Sequence, residues 1–421
     1  MKNLRVKAGA LQLTVFIVVV VAVLLAGFVL LTHTQKQFKI KTAFIKETIT
    51  NANSGINYML ANTIVEKDTT ELPLNAPEFK TLKVYKSYWG IFQNITSVSQ
   101  IHHNIFKKSA FVGGTKNSIN QVALFLKDNN RPLVVVANTK IEGLSYIPKQ
   151  GVRTGNISGH SYYGNQLIYG TTKTSSSKLP QISNRVLEEI KNIDNQFNKV
   201  DTDQFVNLKT SRTHYNSFFK SSKLIYSASH LVLSNVKIKG KFLVQSNTKI
   251  TVEANTELND IILIAPEIEV KSNTKGNFQA FASNFIEIGS NCKLQYPTAL
   301  ILNDKSKGLN VTSQDQSKII INSGTEIKGE ILYLGESVGY KPNVVINRNT
   351  TVYGEVYCEQ NMELLGTVYG SVFTSSFVAN QSGSSYQNHL YNAQISASKL
   401  PDEYIGVLFN NSEKGIAKWL Y

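Results

Sequence analysis

The chain has 421 residues, 42% of them hydrophobic and 17% charged, which excludes a disordered polymer and leaves room for two or three folded regions. Its formal net charge is +15, but lysine and arginine are scattered. No zinc, helix-turn-helix or RNA-reading aromatic motif accompanies them, so nucleic acid is not an expected partner and the charge suits anionic partners in general, acidic polysaccharide or lipid headgroups.

Residues 1–9 form a basic leader with Lys2, Arg5 and Lys7, and residues 10–31 are an uncharged apolar run broken only by Gln12, Thr14 and Gly27. As a helix, this run reaches about 33 Å, close to the roughly 30 Å of a bilayer's hydrocarbon. A cleaved signal sequence is the rival reading, but its apolar core is normally about 7–15 residues, so a retained transmembrane helix is expected. Basic residues flank both sides, with Lys36, Lys39, Lys41 and Lys46 on the far one. The short N-terminus then sets the expected orientation: a single-pass protein with its N-terminus cytoplasmic and the large C-terminal part extracytoplasmic. Over 32–62, Phe38, Ile45, Ile49, Ala52, Ile56 and Met59 recur at helical spacing, predicting an amphipathic extension of the same helix.

A short basic leader ending in Gly9, an apolar run opening Ala10-Leu11 and the later Ala52-Asn-Ser-Gly55-Ile-Asn-Tyr58 resemble the minor pilins and the large minor pseudopilin of type IV pilus and type II secretion machines. The resemblance covers about the first 60 residues and implies leader cleavage between Gly9 and Ala10. The fifth position after that bond is Thr14, where major pilins carry Glu. The large minor pseudopilin also lacks that Glu.

Residues 63–139 read as a small β-rich region packed on the helix. Within it, Val122 to Leu126 and Leu133 to Ala137 flank Lys127-Asp-Asn-Asn-Arg-Pro132 as a predicted hairpin. Residues 140–180 carry an apolar-x-Gly idiom (Ile141-Glu-Gly143, Ile157-Ser-Gly159, Ile168-Tyr-Gly170) and read as first, irregular coils of a solenoid. Residues 181–228 read as a short helical insertion, because Ile182, Val186, Leu187, Ile190, Ile193 and Phe197 follow helical spacing. Ser177-Lys-Leu-Pro180 recurs as Ser398-Lys-Leu-Pro401, and each copy is expected where the chain leaves the solenoid.

The main body is predicted over 229–380. Ile250-Thr-Val-Glu-Ala-Asn255, Ile268-Glu-Val-Lys-Ser-Asn273 and Ile286-Glu-Ile-Gly-Ser-Asn291 start 18 residues apart. Alternating apolar residues followed by Asn describe a short strand entering a corner, and repeated units of this kind bury their apolar faces by stacking. The expected fold class is therefore mainly β, a β-solenoid or parallel β-helix, with Asn255, Asn273 and Asn291 as a structural corner ladder. Val252, Val270 and Ile288 form its predicted inward ladder. Residues 381–421 read as a C-terminal cap.

The motifs of zinc proteases, nucleophile-elbow hydrolases, P-loops and dinucleotide folds are all missing, and no cofactor, metal ligand or catalytic residue is expected. The one enzymatic alternative is a polysaccharide lyase or hydrolase. Glu253, Glu257, Glu267, Glu269 and Glu287 alternate with apolar residues as solvent-facing strand positions do, and the candidate acid/base pair among them is Glu269 and Glu287, one coil apart in one column; a solvated surface is the plainer reading of all five. His102 and His103 are expected in a surface strand, pointing to opposite faces. Tyr333, Tyr353, Tyr357, Tyr369 and Phe373 line up as core or stacking residues, with sugar binding as the alternative. Cys292 occupies the repeat position of Thr256 and Thr274, and nothing in its 66-residue spacing from Cys358 requires a disulfide.

The later units, Glu326-Ile-Lys-Gly329-Glu-Ile331, Thr351-Val-Tyr-Gly354-Glu-Val356 and Thr367-Val-Tyr-Gly370-Ser-Val372, resemble the bactofilins. These are β-helical scaffolds that assemble end to end without nucleotide and are generally cytoplasmic. The resemblance implies scaffolding. The combined expectation is an anchored, exported solenoid with a structural or assembly role at a bacterial-type cell envelope, partnered by membrane lipid, by envelope proteins or itself, or by acidic polysaccharide. A minor pilin-like component is the alternative.

Overall fold

The computed structural model describes residues 8–62, 69–75, 78–115, 122–195, 201–209, 211–305, 317–336, 341–410 and 412–421. Most of the basic leader, up to Lys7, and Phe197 of the expected helical stripe lie outside them.

A single unbroken helix, α1, spans Ala8–Ala61. Its apolar N-terminal part is exposed throughout, and it is long and apolar enough to cross a membrane or to serve as a signal sequence. Burial begins only at Phe44, and the buried positions include Thr48, Ala52, Gly55 and Ile56. The predicted stripe thus shifts by about one position: Phe38 is 72% exposed and Ile45 49%, while Ala52 and Ile56 are fully buried. Ile45 and Ile49 lie on the solvent side of a helix whose packed side carries small residues, because backbone approach decides the contact.

The chain divides into two compact units. The first holds α1 to Tyr58, Thr69–Tyr85 and Thr96–Lys108. It contains β1 (Thr69–Glu71), most of β2 (Lys80–Trp89) and the turn-proximal parts of β3 (Phe92–Ile101) and β4 (Asn104–Thr115), an antiparallel sheet in that order. Gly55 sets the closeness of helix to sheet, since a Cβ there would lie 2.3 Å from Ser97 Oγ. Lys80 pairs with Glu47, and Lys108 Nζ donates to Asn53 Oδ1 at 2.7 Å.

The second unit is the solenoid with the remaining parts of β2 to β4 and the C-terminal tail. Each coil supplies a strand to three parallel faces. Face A runs through Lys237–Gly240 and the openings of Glu257–Ile264, Lys275–Ala282, Lys293–Asn303, Glu326–Leu334, Thr351–Leu364 and Thr367–Gln381. Face B takes up their second parts after Lys223–Ser227 and Phe242–Ser246. Face C stacks Leu231–Leu233, Lys249–Val252, Glu267–Val270, Phe285–Ile288, Lys318–Ile321 and Val344–Ile346. The inward ladder Val252, Val270, Ile288 continues through Ile321, Ile346 and Leu364, all at 2% exposure or less.

The corners explain the repeat's small residues. Between faces A and B, Gly354 has φ +153°, and a Cβ there would fall 1.9 Å from the Gly329 carbonyl, so the tight stack of Gly329, Gly354 and Gly370 admits no side chain. Between faces C and A, Asn273 and Asn291 are left-handed, at φ 66° and 56°, and Gly324 and Asn349 continue their column at 77° and 59°. Asn255 holds the same column without a positive φ. Its Oδ1 accepts the N–H of Asn235 at 3.0 Å, and Asn235, in the corner of the adjacent coil, is left-handed at φ 54°. Beside this column Thr256, Thr274, Cys292, Thr325 and Thr350 are buried, and each donates to a carbonyl near the corner.

The order of coils in space differs from their order in sequence. Face A passes from Thr367–Gln381 to Gln394–Ser396 and then to Lys140–Glu142. Face B passes directly from Val372–Thr374 to Leu124–Leu126 and on to Leu144–Ile147 and Thr172–Thr174. Face C carries His389–Tyr391, Leu133–Val136 and Val152–Thr154 in succession. One coil is therefore spliced from 389–396 and 122–126, and the earliest coils of the chain stack beyond its latest.

Two expectations are corrected by this arrangement. Val122–Leu126 and Leu133–Val136 are not a hairpin: each pairs in parallel with other coils, and residues 127–132 turn a solenoid corner, so the coils begin at Val122 rather than at 140. Among the described residues, the helical insertion expected over 181–228 is α-helical only in α2, Asn184–Lys191; Thr213–Asn216 and Lys223–Ser227 are coil strands in parallel register with 237–240 and 242–246. An available parallel strand edge overrode a local pattern too weak to fix a helix.

Face B is apolar on its outer side too. There Leu243, Ile262, Ile264, Phe281, Ile301, Leu332 and Phe373 form a second core with Val186 and Ile190 of α2, with Trp89, Phe92 and Phe111 of the sheet, and with Val407 and Leu408 of the tail. Gln279 fixes the β2–β3 turn by accepting from Ile91 N at 2.9 Å and donating to Trp89 O at 2.8 Å. Both ends of the inner core are covered by the chain itself, through Tyr162, Leu167 and Ile168 at one and Val206 and Leu208 at the other.

Candidate functional site

The chemically unusual site lies on face B, immediately after the corner glycines. The idiom Gly-Glu puts Glu330 and Glu355 in direct register on adjacent coils, pointing outward, and Ser371 takes the next rung. The tail crosses over them. Tyr404 Oη donates to Glu330 Oε1, and Val407 N donates to Glu355 Oε2 at 3.0 Å. Glu330 is completely buried and its Oε2 finds no donor. Loss of hydration pushes its carboxyl well above the usual carboxylate range, and the Glu355 charge pushes it further. Burial likewise raises the phenols of Tyr404 and Tyr296, and Tyr296 Oη donates to Ile405 O at 2.8 Å.

Beside the pair opens a cleft of about 510 Å3 lined by Tyr296, Tyr353, Tyr404, Lys328, Lys399, Glu326 and Glu403. That volume falls within the range of small-molecule sites, about 300–1,000 Å3. Tyr353 and Tyr369 sit 5.2 Å apart, with Lys328 over the first ring and Lys399 over the second. A smaller cavity of about 220 Å3 lies between α2 and face B, where Lys305 pairs with Asp194.

The carboxylates singled out by sequence are placed differently. Glu269 and Glu287 do share a register. However, hydrogen bonds from Lys249 and Lys271 hold Glu269 below the usual carboxylate range, and Glu287 accepts from Asn322 Nδ2 at 3.0 Å. A general acid needs the opposite shift. The pair that sequence reasoning missed was marked by the Gly-Glu of its own idiom, but nothing local showed that the tail would bury it.

The other candidates separate. His102 and His103 form the β3–β4 turn instead of lying in a strand, and His102, at φ 50°, stacks on Phe79 at 4.6 Å. Tyr333 points into the inner core with its hydroxyl on Asp304 Oδ2 at 2.9 Å, whereas Tyr357 and Phe373 lie on the outside of face B under Phe409. Cys292 and Cys358 are free and buried. Burial pushes the Cys358 thiol up to about 12. Gly9 and Ala10 lie in the exposed first turns of α1. Among the described residues no cluster of three or more His, Cys, Asp or Glu could hold a metal ion.

No family model matches the chain, and no curated protein matches it. Among solved structures, the competence-associated pilin ComZ from Thermus thermophilus aligns over 86% of this chain and 88% of its own at 10% identity, with a TM-score of 0.22. A score that low carries no argument.

Proposed function

We propose that this is a membrane-anchored, exported β-solenoid with a structural, non-catalytic role in assembly at the cell envelope. The observation that carries the reading is the division of α1 into an apolar, uncharged half with no packing partner and a half that packs on the β1–β4 sheet. The span would sit in membrane lipid with the N-terminus inside. The basic solenoid would meet envelope proteins, a second copy or acidic polysaccharide. The chain's own cover over both ends of the inner core favours lateral or tip contacts over the end-to-end stacking that the bactofilin resemblance implies.

A charge at the middle of the span should cost about 2.5–3.5 kcal/mol of insertion free energy. Val20→Arg should therefore move the protein from the membrane fraction to the soluble or degraded pool. Unchanged fractionation would remove the anchor.

A pilin-like role is the second reading, favoured by the construction of the first unit: one long helix, bare at its N-terminal half and laid on an antiparallel sheet at the other. N-terminal sequencing of membrane-extracted protein tests it. A start at Ala10 supports processing, and an intact leader rejects it.

A further inference from the structure

We propose that Glu330 and Glu355 form a proton-dependent latch that holds the tail segment 404–408 on face B and releases it as pH rises. The geometry gives the reason. Three hydrogen-bonding positions around the pair are set by the stack and the tail: Tyr404 on Glu330 Oε1, Val407 N on Glu355 Oε2, and Glu330 Oε2, which is buried without a donor. Two ionised carboxylates can only accept, so a proton held between them is what satisfies the orphaned oxygen and removes the repulsion of like charges on adjacent coils. Gly406 lets the tail backbone come down on the pair, since a Cβ there would lie 2.5 Å from Glu355 Oε2.

The backbone N–H of Glu355 works against the upward shift at Glu330, but burial is the largest influence and the Glu355 charge the next. The titratable groups facing the pair are Tyr404 on the tail and Tyr296 on the neighbouring coil, both with phenols raised by burial. Strand β4 meets the tail through Gly113 and Gly114, which bring no charge. Lys328 and Lys399 line the adjoining cleft along with Glu326 and Glu403. The closed latch therefore binds a proton that the open, solvated form gives up near the ordinary carboxylate value of about 4.3. A raised value in the closed form means that closure is favoured at mildly acidic pH and is lost as pH climbs toward the pair's own value. Opening also uncovers the paired edge of β4 at Gly114 and Thr115, which Ile405–Gly406 cover. An uncovered strand edge is a template for a partner strand.

The test is amide hydrogen exchange on the full chain in detergent between pH 5 and 9, corrected for intrinsic rates. Opening of 404–408 should increase by up to tenfold per pH unit, as one proton requires, while 268–270 on face C stays protected. Glu330→Gln supplies an amide donor at the orphaned position and should flatten the dependence with the tail closed throughout. Tyr404→Phe, which removes a donor and leaves the carboxyls in place, should raise opening at every pH and keep the slope. Protection of 404–408 that is constant with pH in the wild type would overturn the latch, as would an unchanged slope in Glu330→Gln.

Discussion

Faces B and C are cut from the same coils and carry opposite patterns. On face C the outward positions are occupied by Lys249 and Thr251, Glu267 and Glu269, Phe285 and Glu287, between the inward ladders. On face B both sides are apolar: Ile261 and Leu263 point into the inner core while Ile262 and Ile264 join the outer one. Alternation of polar and apolar residues holds on Glu267–Val270, where the outer side is partly exposed, and fades further along face C, where Ile320 and Val345 take the outward column. Where a second layer covers a strand, alternation gives way to a continuous apolar run, as in Ile261-Ile-Leu-Ile264 or Ile331-Leu-Tyr-Leu334.

The strongest way to break the comparison is to treat an inward position of face C as if it were outward. Val270→Asp places a carboxylate in a ladder that is 1% exposed. Kept ionised or forced neutral, it should cost about 5 kcal/mol or more, a large share of a typical domain's 5–15 kcal/mol. Thermal melts of the full chain in detergent should show loss of the folded transition. A midpoint within a few degrees of wild type would mean the ladder does not face inward.

The next substitution tests the outer core of face B. Phe281 is 3% exposed beneath the layer that covers this face, and Phe281→Ala should cost about 3–5 kcal/mol. Glu267→Ala, the corresponding outward change on face C, should stay within about 0.5 kcal/mol. Equal effects in denaturant titrations would show that face B has no second core.

The smallest effect sharpens the description of the wet face. Glu269 bridges Lys249 at 2.7 Å and also pairs with Lys271. Its lowered carboxyl contributes stability that is present above the ordinary carboxylate range and is lost as pH falls through its folded value. Glu269→Gln should lose no more than about 1 kcal/mol at neutral pH, and less in high salt. A loss that persists at pH 2 or in 1 M salt would point to packing instead of charge.

Much of the solenoid was written in local residues. The 18-residue spacing gave the inward ladder of face C, and Asn273 and Asn291 marked one corner, because a left-handed corner restricts residue type; that the idiom's glycines turn a second corner came only from the structure. Asn255 shows the limit: it keeps the residue without the left-handed conformation, and its side chain instead accepts from Asn235 on the adjacent coil. The Glu330 and Glu355 pair lay in plain view within the Gly-Glu idiom, yet its character comes from Tyr404 and Val407, some 50 to 75 residues away along the chain.

By itself, then, the sequence determined that the first half of α1 is apolar and long enough to cross a membrane or to serve as a signal, and that the later chain stacks in coils, since both follow from the period and polarity of neighbouring residues. Only the tertiary structure decided the order of the coils. Backbone hydrogen bonds between parallel strands are nearly indifferent to which strand comes next. The same edge could have taken its neighbour in sequence; instead Leu124–Leu126 lies against Val372–Thr374, 248 positions away along the chain, with Ala123 and Leu124 buried in the shared inner core.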